Sequence, residues 1–166
     1  MVEKETNQVR TGPEGATALD GIDRRILRQL AEDATRPYAE LGKLVHLSPP
    51  AVHERVKRLR RDGVIAATVA RIDGRKIGCP LLAFIHVDTE GWGLTAPVLA
   101  LREFADVEEI HTATGNTCLI LKVRTRDTAG LEDLLERIYA IEGVRGTRSF
   151  VALNTYLERG PRPEQD

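Results

Sequence analysis

Cysteine is scarce in this chain of 166 residues, which contains only Cys79 and Cys118. Their spacing matches no metal-binding motif, and we expect free buried thiols in a reducing cytoplasm rather than a disulfide. No apolar run approaches the roughly 20 residues of a membrane span. The N-terminus has no charged segment followed by an apolar stretch, as a secretory signal would have. These absences favour a cytoplasmic globular protein without a membrane partner.

Motifs of catalysis are missing as well. The sequence has four histidines, at positions 46, 53, 86 and 111, and no two of them have metal-ligand spacing. Neither a Gly-x-Gly-x-x-Gly loop nor a Ser-His-acid arrangement occurs, and the closest mimic of a phosphate loop, at 112–117, has no lysine. We therefore predict no enzyme, no catalytic residue, no metal and no cofactor. An enzyme with a ferredoxin-like domain is the rival class that this prediction opposes.

Charge is nearly balanced over the chain but unevenly distributed along it. The formal net charge is −1. Residues 20–78 contain thirteen Lys and Arg against eight Asp and Glu, whereas residues 79–159 contain eight against twelve. A basic first half joined to an acidic second half indicates that only the first half meets a polyanion. Chance asymmetry is the alternative explanation of these counts.

Composition and hydrophobic pattern divide the chain into five segments. Residues 1–18 are polar and aperiodic, so they are predicted to be a disordered tail. Residues 19–63 have helical patterns, and 64–79 are rich in β-forming residues that suit a short strand or wing leading into a linker. Residues 80–159 alternate strand and helix, and 160–166 are expected to be a flexible tail.

Three helices are predicted in the first half. The first covers 20–33 with Asp20 as its N-cap, and the second is short, at 38–45. The third covers 49–62, with Ser48 as N-cap, a proline at its first position and a glycine after its end. A two-residue turn separates the second helix from the third, as in a helix-turn-helix.

The second half has the pattern of a small sandwich of one sheet and two helices. The predicted elements are a strand at 81–87, a helix at 94–104, strands at 107–114 and 118–124, a helix at 130–141 and a strand at 147–157 with Val151 and Leu153 inward. This order, β-α-β-β-α-β, is that of a ferredoxin-like fold. We therefore predict the α+β class, with an N-terminal helix-turn-helix that is winged if 64–79 forms a strand. A second copy of the sheet is the simplest cover for the face without helices.

The third predicted helix combines an apolar stripe with a basic remainder. At about 100° per residue, Val52, Val56 and Leu59 share one face. Ala51, Glu54, Arg55 and Arg58 are expected opposite this stripe, with Pro50, His53, Lys57, Arg60 and Arg61 on the flank. Arginine and lysine on a helix in the major groove pair with guanine edges or phosphates. The predicted DNA-binding residues are Ser48, Pro50, Ala51, His53, Glu54, Arg55, Lys57 and Arg58.

Two alternatives stay open for this helix. It can be a solvated basic helix without function, although its cap, the preceding short helix and the tight turn argue against that. Glu54 suits phosphate contact poorly. We expect it either to orient Arg58 through an i,i+4 pair or to accept a hydrogen bond from a cytosine amine.

Taken together, these segments resemble the Lrp/AsnC family of feast/famine transcription regulators. The resemblance rests on 19–27 (LDGIDRRIL), 39–45 (AELGKLV), 47–49 (LSP), 54–59 (ERVKRL) and 62–65 (DGVI). The downstream half is similar to the amino-acid-sensing RAM domain of that family, so the resemblance extends over about residues 19–159.

Membership would imply several partners. These are double-stranded DNA, an amino-acid effector and further copies of the chain, as a homodimer with paired sheets that assembles further, often to an octamer. The effector would lie between dimers, at the turn joining the second and third strands and after the last helix. The corresponding residues are Thr112, Ala113, Thr114, Gly115, Asn116, Thr117, Cys118 and Tyr139.

The turn departs from the family pattern at one position. Many members have Gly-x-x-Asp there, whereas Cys118 stands at the position of the acid after Gly115. An acid would pair with the ammonium of an amino acid, so recognition here would use backbone carbonyls, Asn116 and the hydroxyls of Thr114 and Thr117. From the residues alone, a plain hairpin turn is the favoured explanation of Gly115 and Asn116, and a packing role is the alternative for Tyr139.

The sequence therefore predicts a sequence-specific transcriptional regulator, in the cytoplasm with the nucleoid, that responds to a small effector. The rival is an architectural, nucleoid-like protein without an effector. Such a protein would bind DNA with little sequence preference and a steep dependence on salt.

Overall fold

A computed structural model describes residues 17–90 and 96–163 of the chain. In chain order the elements are α1 (Gly21–Glu32), α2 (Tyr38–Val45), α3 (Pro49–Arg61), β1 (Leu81–Thr89), α4 (Ala96–Leu101), β2 (Val107–Thr112), β3 (Leu119–Thr125), α5 (Thr128–Tyr139) and β4 (Val144–Val151). Contacts divide the described residues into two units: 17–69 together with 159–163, and 70–90 together with 96–158. The predicted tail at 1–18 lies outside the described residues up to position 16.

The first unit is the predicted three-helix domain. Asp20 caps α1 by accepting a hydrogen bond from the backbone N–H of Asp23, and the Asp23 carboxylate accepts one from the N–H of Asp20. This reciprocal arrangement is a capping box. The helices enclose one buried apolar cluster, formed by Ile26, Leu41, Val45, Val52, Val56 and Leu59.

The turn between α2 and α3 depends on Gly42. After α2, His46 takes the left-handed conformation with φ of 58°, and the N–H of Leu47 donates to the carbonyl of Gly42 at 2.9 Å. A Cβ on Gly42 would lie 2.4 Å from the carbonyl oxygen of Leu47. Because no backbone tolerates that approach without moving, glycine here fixes how closely α3 follows α2.

The segment expected to form a wing contains no strand. Residues 66–72 have no regular secondary structure, and Val69 and Ile72 are 81% and 66% exposed. The prediction rested on β-forming residue types, but strand propensity is realised only against a neighbouring strand. Within the described residues of this chain, none pairs with this segment.

The second unit is the predicted βαββαβ domain. Its four strands form an antiparallel sheet in the order β2-β3-β1-β4. Alternate residues of β1 and β3 pack against the helices, and the core consists of Ala83, Ile85, Val87, Leu101, Leu119, Leu121, Val123, Leu131, Leu134 and Ile138. The described part of the helix predicted at 94–104 is α4, which ends earlier, at Leu101.

The last strand lies earlier in the chain than the sequence suggested. It covers 144–151, after a turn at Gly143 with φ of 87°, and pairs with β1 in the register Val87↔Thr147 and Ala83↔Val151. Val151 lies opposite the buried Ala83, on the predicted helix side of the sheet, but it is 45% exposed. The prediction that Leu153 points inward is wrong, since it is 98% exposed. Leu153 lies beyond the end of the sheet.

Within the described part of the second unit, no helix or strand covers the face of the sheet opposite α4 and α5. Phe84 of β1 pairs with Phe150 of β4, and they are 39% and 54% exposed. The ring of Phe150 also lies 5.0 Å from that of His86, centroid to centroid. Two exposed phenylalanines on one sheet face are consistent with the expectation that another copy covers it.

A charged cluster holds residue 158 against this uncovered face. Lys122 of β3 forms ion pairs with Glu108 at 3.2 Å, Glu109 at 3.1 Å and Glu158 at 3.0 Å. Burial lowers the pKa of Lys122, but its hydrogen bonds to the three carboxylates outweigh burial and raise the pKa. Glu158 also pairs with Arg71 at 3.0 Å. These ion pairs connect the two ends of this unit, at Arg71 and Glu158, to Lys122 of β3.

The C-terminal segment at 161–163, within the predicted flexible tail, lies in the first unit. Residues 161–163 line a cavity of about 450 Å³ together with apolar side chains of α1 and residues 64–68. This cavity lies wholly within the first unit. Residues 164–166 lie outside the described part of the chain.

Candidate nucleic-acid interface and effector turn

Helix α3 begins at a cap that leaves few free amides. The Ser48 hydroxyl accepts from the N–H of Ala51 at 3.4 Å, and prolines occupy the first two helical positions, 49 and 50. Helix N-termini often bind phosphate through their unpaired amides, but proline has no N–H to offer. Any phosphate contact by α3 therefore has to come from its side chains.

One face of α3 is anchored and another is open to solvent. Val52, Val56 and Leu59 are 0–1% exposed, as the periodicity predicted. The exposed side chains are those of Pro49, Pro50, His53, Glu54, Lys57, Arg60 and Arg61, while Ala51 is half-buried. The buried stripe fixes the rotation of the helix, so these exposed residues form one defined outer surface.

Arg55 does not project opposite the buried stripe, so that prediction is wrong. Its side chain is 26% exposed, and its Nη1 donates to Asp20 Oδ2 at 2.6 Å and to Asp23 Oδ1 at 2.9 Å. The hydrogen bond from Arg55 lowers the pKa of Asp20, and the same bond raises the pKa of Arg55. At about 100° per residue, Arg55 lies roughly 60° from the centre of the stripe, close enough to reach α1.

Arg58 is likewise paired within the unit. Its Nη2 donates to Asp23 Oδ2 at 2.5 Å, and the side chain is 41% exposed. The i,i+4 pair expected between Glu54 and Arg58 is not formed. The carboxylate of Glu54 instead lies 3.8 Å from Nδ1 of His53, and the imidazole of His53 lies 5.5 Å from the ring of Tyr38.

Asp23 is the residue that sequence reasoning missed. It is 1% exposed and accepts hydrogen bonds from both arginines and from the N–H of Asp20. The sequence did contain a signal, since an acid three residues after an N-cap is the pattern of a capping box. The pairing with α3 had no such signal, because those residues are 32 and 35 positions away.

The remaining basic side chains of α3 are less engaged. Within residues 17–90 and 96–163, Lys57 has no side-chain hydrogen bond or ion pair, whereas Arg61 pairs only with its exposed neighbour Asp62, at 2.9 Å. Arg60 lines the cavity formed with α1. Lys57 and Arg61 are therefore the cations most available to a polyanion.

The predicted effector residues form the connection between β2 and β3 and its immediate surroundings. Gly115 has φ of 111°, a conformation that favours glycine. Thr112, Thr114, Gly115 and Asn116 are exposed, and Ala113 closes the hairpin by donating its N–H to the carbonyl of Cys118 at 3.0 Å. The tip of the turn is thus open to a ligand.

Thr117 and Cys118 face inward instead. The Thr117 side chain is buried, and its hydroxyl lies 3.3 Å from the carbonyl oxygen of Val87 and 3.2 Å from that of Leu119. The Cys118 thiol contacts the carbonyl of Thr89 at 3.7 Å, and both cysteines are free thiols. These two residues attach the turn to β1, so the Thr117 hydroxyl is already used.

Tyr139 lies at the end of α5, beside β4. It is 54% exposed, and its hydroxyl accepts from the N–H of Thr147 at 3.2 Å, a contact that lowers the pKa of Tyr139. Arg148, which follows Thr147 in β4, donates to the carbonyl of Asn116 at 3.0 Å and pairs with Asp88 at 3.5 Å. β4 thus connects Tyr139 to the turn. Arg148 and Asp88 were missed because only the strand register places them there.

Two other kinds of site are absent from the described parts of the chain, 17–90 and 96–163. These residues contain no group of three or more His, Cys, Asp or Glu side chains placed to hold a metal ion. No helix among them is long and apolar enough to cross a bilayer.

A capped, basic helix-turn-helix followed by an α+β domain with a four-stranded antiparallel sheet is the arrangement of a class, that of DNA-binding transcriptional regulators. The family model described as the AsnC-type helix-turn-helix domain matches residues 19–60, and that of the Lrp/AsnC ligand binding domain matches residues 82–162. The chain belongs to the Lrp/AsnC family of transcriptional regulators.

Relatives cover almost the whole chain. The chain is 32% identical over 145 residues to the HTH-type transcriptional regulator FL11 of Pyrococcus horikoshii, covering 87% of this chain and 96% of FL11. It is 33% identical over 147 residues to the regulatory protein AsnC of Haemophilus influenzae, covering 87% and 98%. Among solved structures, the feast or famine regulatory protein of Mycobacterium tuberculosis complexed with L-methionine superposes with a TM-score of 0.81 at 36% identity, covering 88% of this chain and all of that one.

Proposed function

We propose that this regulator reads double-stranded DNA with α3 and changes its activity when an amino acid binds at the turn between β2 and β3. The observation that supports DNA reading is the outer surface of α3, which is basic while Val52, Val56 and Leu59 hold the helix from behind. An α-helix presented in this way fits the major groove of B-DNA.

The proposed interface comprises the N-terminal end and the exposed side of α3. Ser48, Pro50 and Ala51 would lie nearest the bases, since the N-terminal residues of a recognition helix contact base edges. His53, Glu54 and Lys57 continue this surface along the helix. Arg55 and Arg58 belong to the predicted set too, but their pairing with Asp23 sets them apart from it.

DNA binding can be measured by fluorescence anisotropy with the full-length chain. We expect binding that weakens steeply between about 50 and 200 mM salt, because Lys and Arg displace counterions from phosphates. Against random DNA, a specific regulator prefers its own site by roughly 10³-fold or more. Tight binding without such preference at any site enriched from genomic DNA would favour the architectural alternative, and no binding at any salt would contradict the proposal.

For the effector, we propose an amino acid held by the exposed turn 113–116 and by the charges beside it. Arg148 would pair with the carboxylate of the ligand, and Asp88 would take the place of the acid that the turn lacks, facing the ammonium. Support comes from the openness of the turn and from the M. tuberculosis relative complexed with L-methionine. Thr117 and Cys118 would shape the site through their bonds to β1.

A thermal-shift screen of the proteinogenic amino acids tests this proposal. A true effector at about 100 times its Kd should add roughly 2.7 kcal/mol to the free energy of unfolding. Arg148→Gln should abolish this stabilisation, whereas Arg126→Gln, an exposed arginine of the same unit, should retain it. If no amino acid stabilises the protein, this ligand class is excluded.

Assembly and location follow as further parts of the proposal. We propose a homodimer that covers the sheet face of Phe84 and Phe150 and associates further, up to an octamer, with the effector between dimers. Since its partner would be genomic DNA, the protein would work in the cytoplasm with the nucleoid. It would act by binding, without catalysis or cofactor, as expected of a chain whose relatives are transcriptional regulators.

A further inference from the structure

Two aspartates at the start of α1 accept hydrogen bonds at all four of their carboxylate oxygens. Asp20 Oδ1 accepts from the N–H of Asp23 at 2.7 Å, and Asp20 Oδ2 accepts from Arg55 at 2.6 Å. Asp23 Oδ1 accepts from Arg55 at 2.9 Å, and Asp23 Oδ2 from Arg58 at 2.5 Å and from the N–H of Asp20 at 3.2 Å. One acidic pair therefore serves both as the cap of α1 and as the attachment of α3.

Asp23 is the more deeply buried of these two aspartates. Its side chain is 1% exposed, whereas that of Asp20 is 51% exposed. An ionised carboxylate buried to this extent needs its cationic partners, since removing one partner of a buried pair leaves an uncompensated charge. An arginine that moved from Asp23 to a phosphate would gain one anionic partner, but it would leave the buried Asp23 carboxylate without a cationic one. We therefore expect the guanidinium groups of Arg55 and Arg58 to stay paired with Asp23.

We propose that Asp23 is a positioning residue that withholds Arg55 and Arg58 from the phosphates of DNA, so that Lys57 and Arg61 make the phosphate contacts of α3. The inference rests on the proposed docking of α3 on DNA. It divides the basic residues of the helix into two groups. Arg55 and Arg58 set the orientation of α3 against α1, and the cations without a buried partner supply the electrostatic attraction.

The salt dependence of DNA binding separates these roles. The slope of log K against log salt changes by about 0.9 for each phosphate that the protein ceases to neutralise. The measurement uses the full-length protein and a random-sequence duplex of about 30 base pairs, roughly three helical turns. Lys57→Gln should flatten the slope by about 0.9 for every chain that binds the duplex. Arg58→Gln should leave the slope unchanged while lowering the Tm.

Asp23→Asn gives the result that a merely structural residue would not give. It frees the guanidinium group of Arg58 beside the interface, whereas Arg55 keeps its bond to Asp20, so we expect a slope steeper than wild type by about 0.9 per chain. The double variant Asp23→Asn/Arg58→Gln should return the slope to about that of wild type. Glu32→Gln, which removes an exposed charge from the same helix and frees no arginine, should match wild type.

Each outcome decides the question. A slope that Arg58→Gln flattens as much as Lys57→Gln does would show that Arg58 contacts phosphate, and the inference would be overturned even if Asp23→Asn failed to fold. A folded Asp23→Asn with the wild-type slope would overturn it too. If the wild-type protein did not bind the duplex, the proposed function itself would be contradicted.

Discussion

An Asp23→Ala variant is expected to lose about 3 kcal/mol of unfolding free energy in the first unit, the lower end of the roughly 3–5 kcal/mol that breaking a buried ion pair costs. Two arginines lose a carboxylate that is 1% exposed, and α1 loses half of its capping box. The side chains of Arg55 and Arg58 are 26% and 41% exposed, so water takes over part of their solvation. This exposure is why the expected loss lies at the lower end of the range.

Urea unfolding followed by circular dichroism measures this loss, and the chain offers a matched control. Glu32 lies on the same helix and is exposed, so Glu32→Ala should change the stability by no more than about 0.5 kcal/mol. In a double-mutant cycle, Asp23→Ala and Arg58→Gln should be non-additive by at least about 0.5 kcal/mol, because the two side chains are in contact. Additive effects, or similar losses for Asp23→Ala and Glu32→Ala, would contradict the role given to Asp23.

The first unit was predictable because its signals are local. Asp20 and Ser48 are N-caps of residue types that helix starts prefer, and both are found where the sequence placed them. The buried stripe of α3 followed from a spacing of three and four residues. Caps and periodicity depend on neighbours within one or two turns of the helix, so a single sequence contains them.

The partners of Arg55 and Arg58 could not be predicted in the same way. A helical wheel shows which side chains share a face, but it does not show which other helix lies beside the flank. The pairs with Asp23 span 32 and 35 positions, and they form only once the apolar cluster has packed α1 against α3. The run of basic residues therefore predicted an exposed basic surface on α3 but overstated how many of its cations face outward.

The two strand errors have a common cause. The segment at 64–70 has the residue types of a strand but no neighbouring strand in the part of the chain that the structure describes. In contrast, β4 has arginine, glycine and serine in its sequence and is a strand because β1 pairs with it. Whether a segment forms a strand depends more on pairing with a neighbouring strand than on its amino-acid composition. The register of β4 also places Arg148 beside the turn. Because composition does not reveal that register, the pair of Arg148 and Asp88 proposed for the effector was not predicted either.

Ile85→Ala is expected to destabilise the second unit by about 2–5 kcal/mol, since it leaves a cavity in a packed core. Ile85 is 0% exposed in the centre of β1, and the core around it shares no residue with the apolar cluster of the first unit. We therefore expect loss of amide hydrogen-exchange protection in β1, β3 and α5, with α2 and α3 protected as in wild type. Ile26→Ala in the first unit should give the reverse pattern.

This separation matters for function because it predicts which activity each variant loses first. Ile85→Ala should weaken stabilisation by an amino acid before it affects the exposed surface of α3, and Ile26→Ala should weaken DNA binding first. Ile77→Ala is the control, since Ile77 belongs to the second unit but is 63% exposed, and a cost within about 0.5 kcal/mol is expected. Equal loss of protection in both units after Ile85→Ala would mean that the two cores unfold together, and ligand sensing could then not be separated from DNA binding by core substitutions.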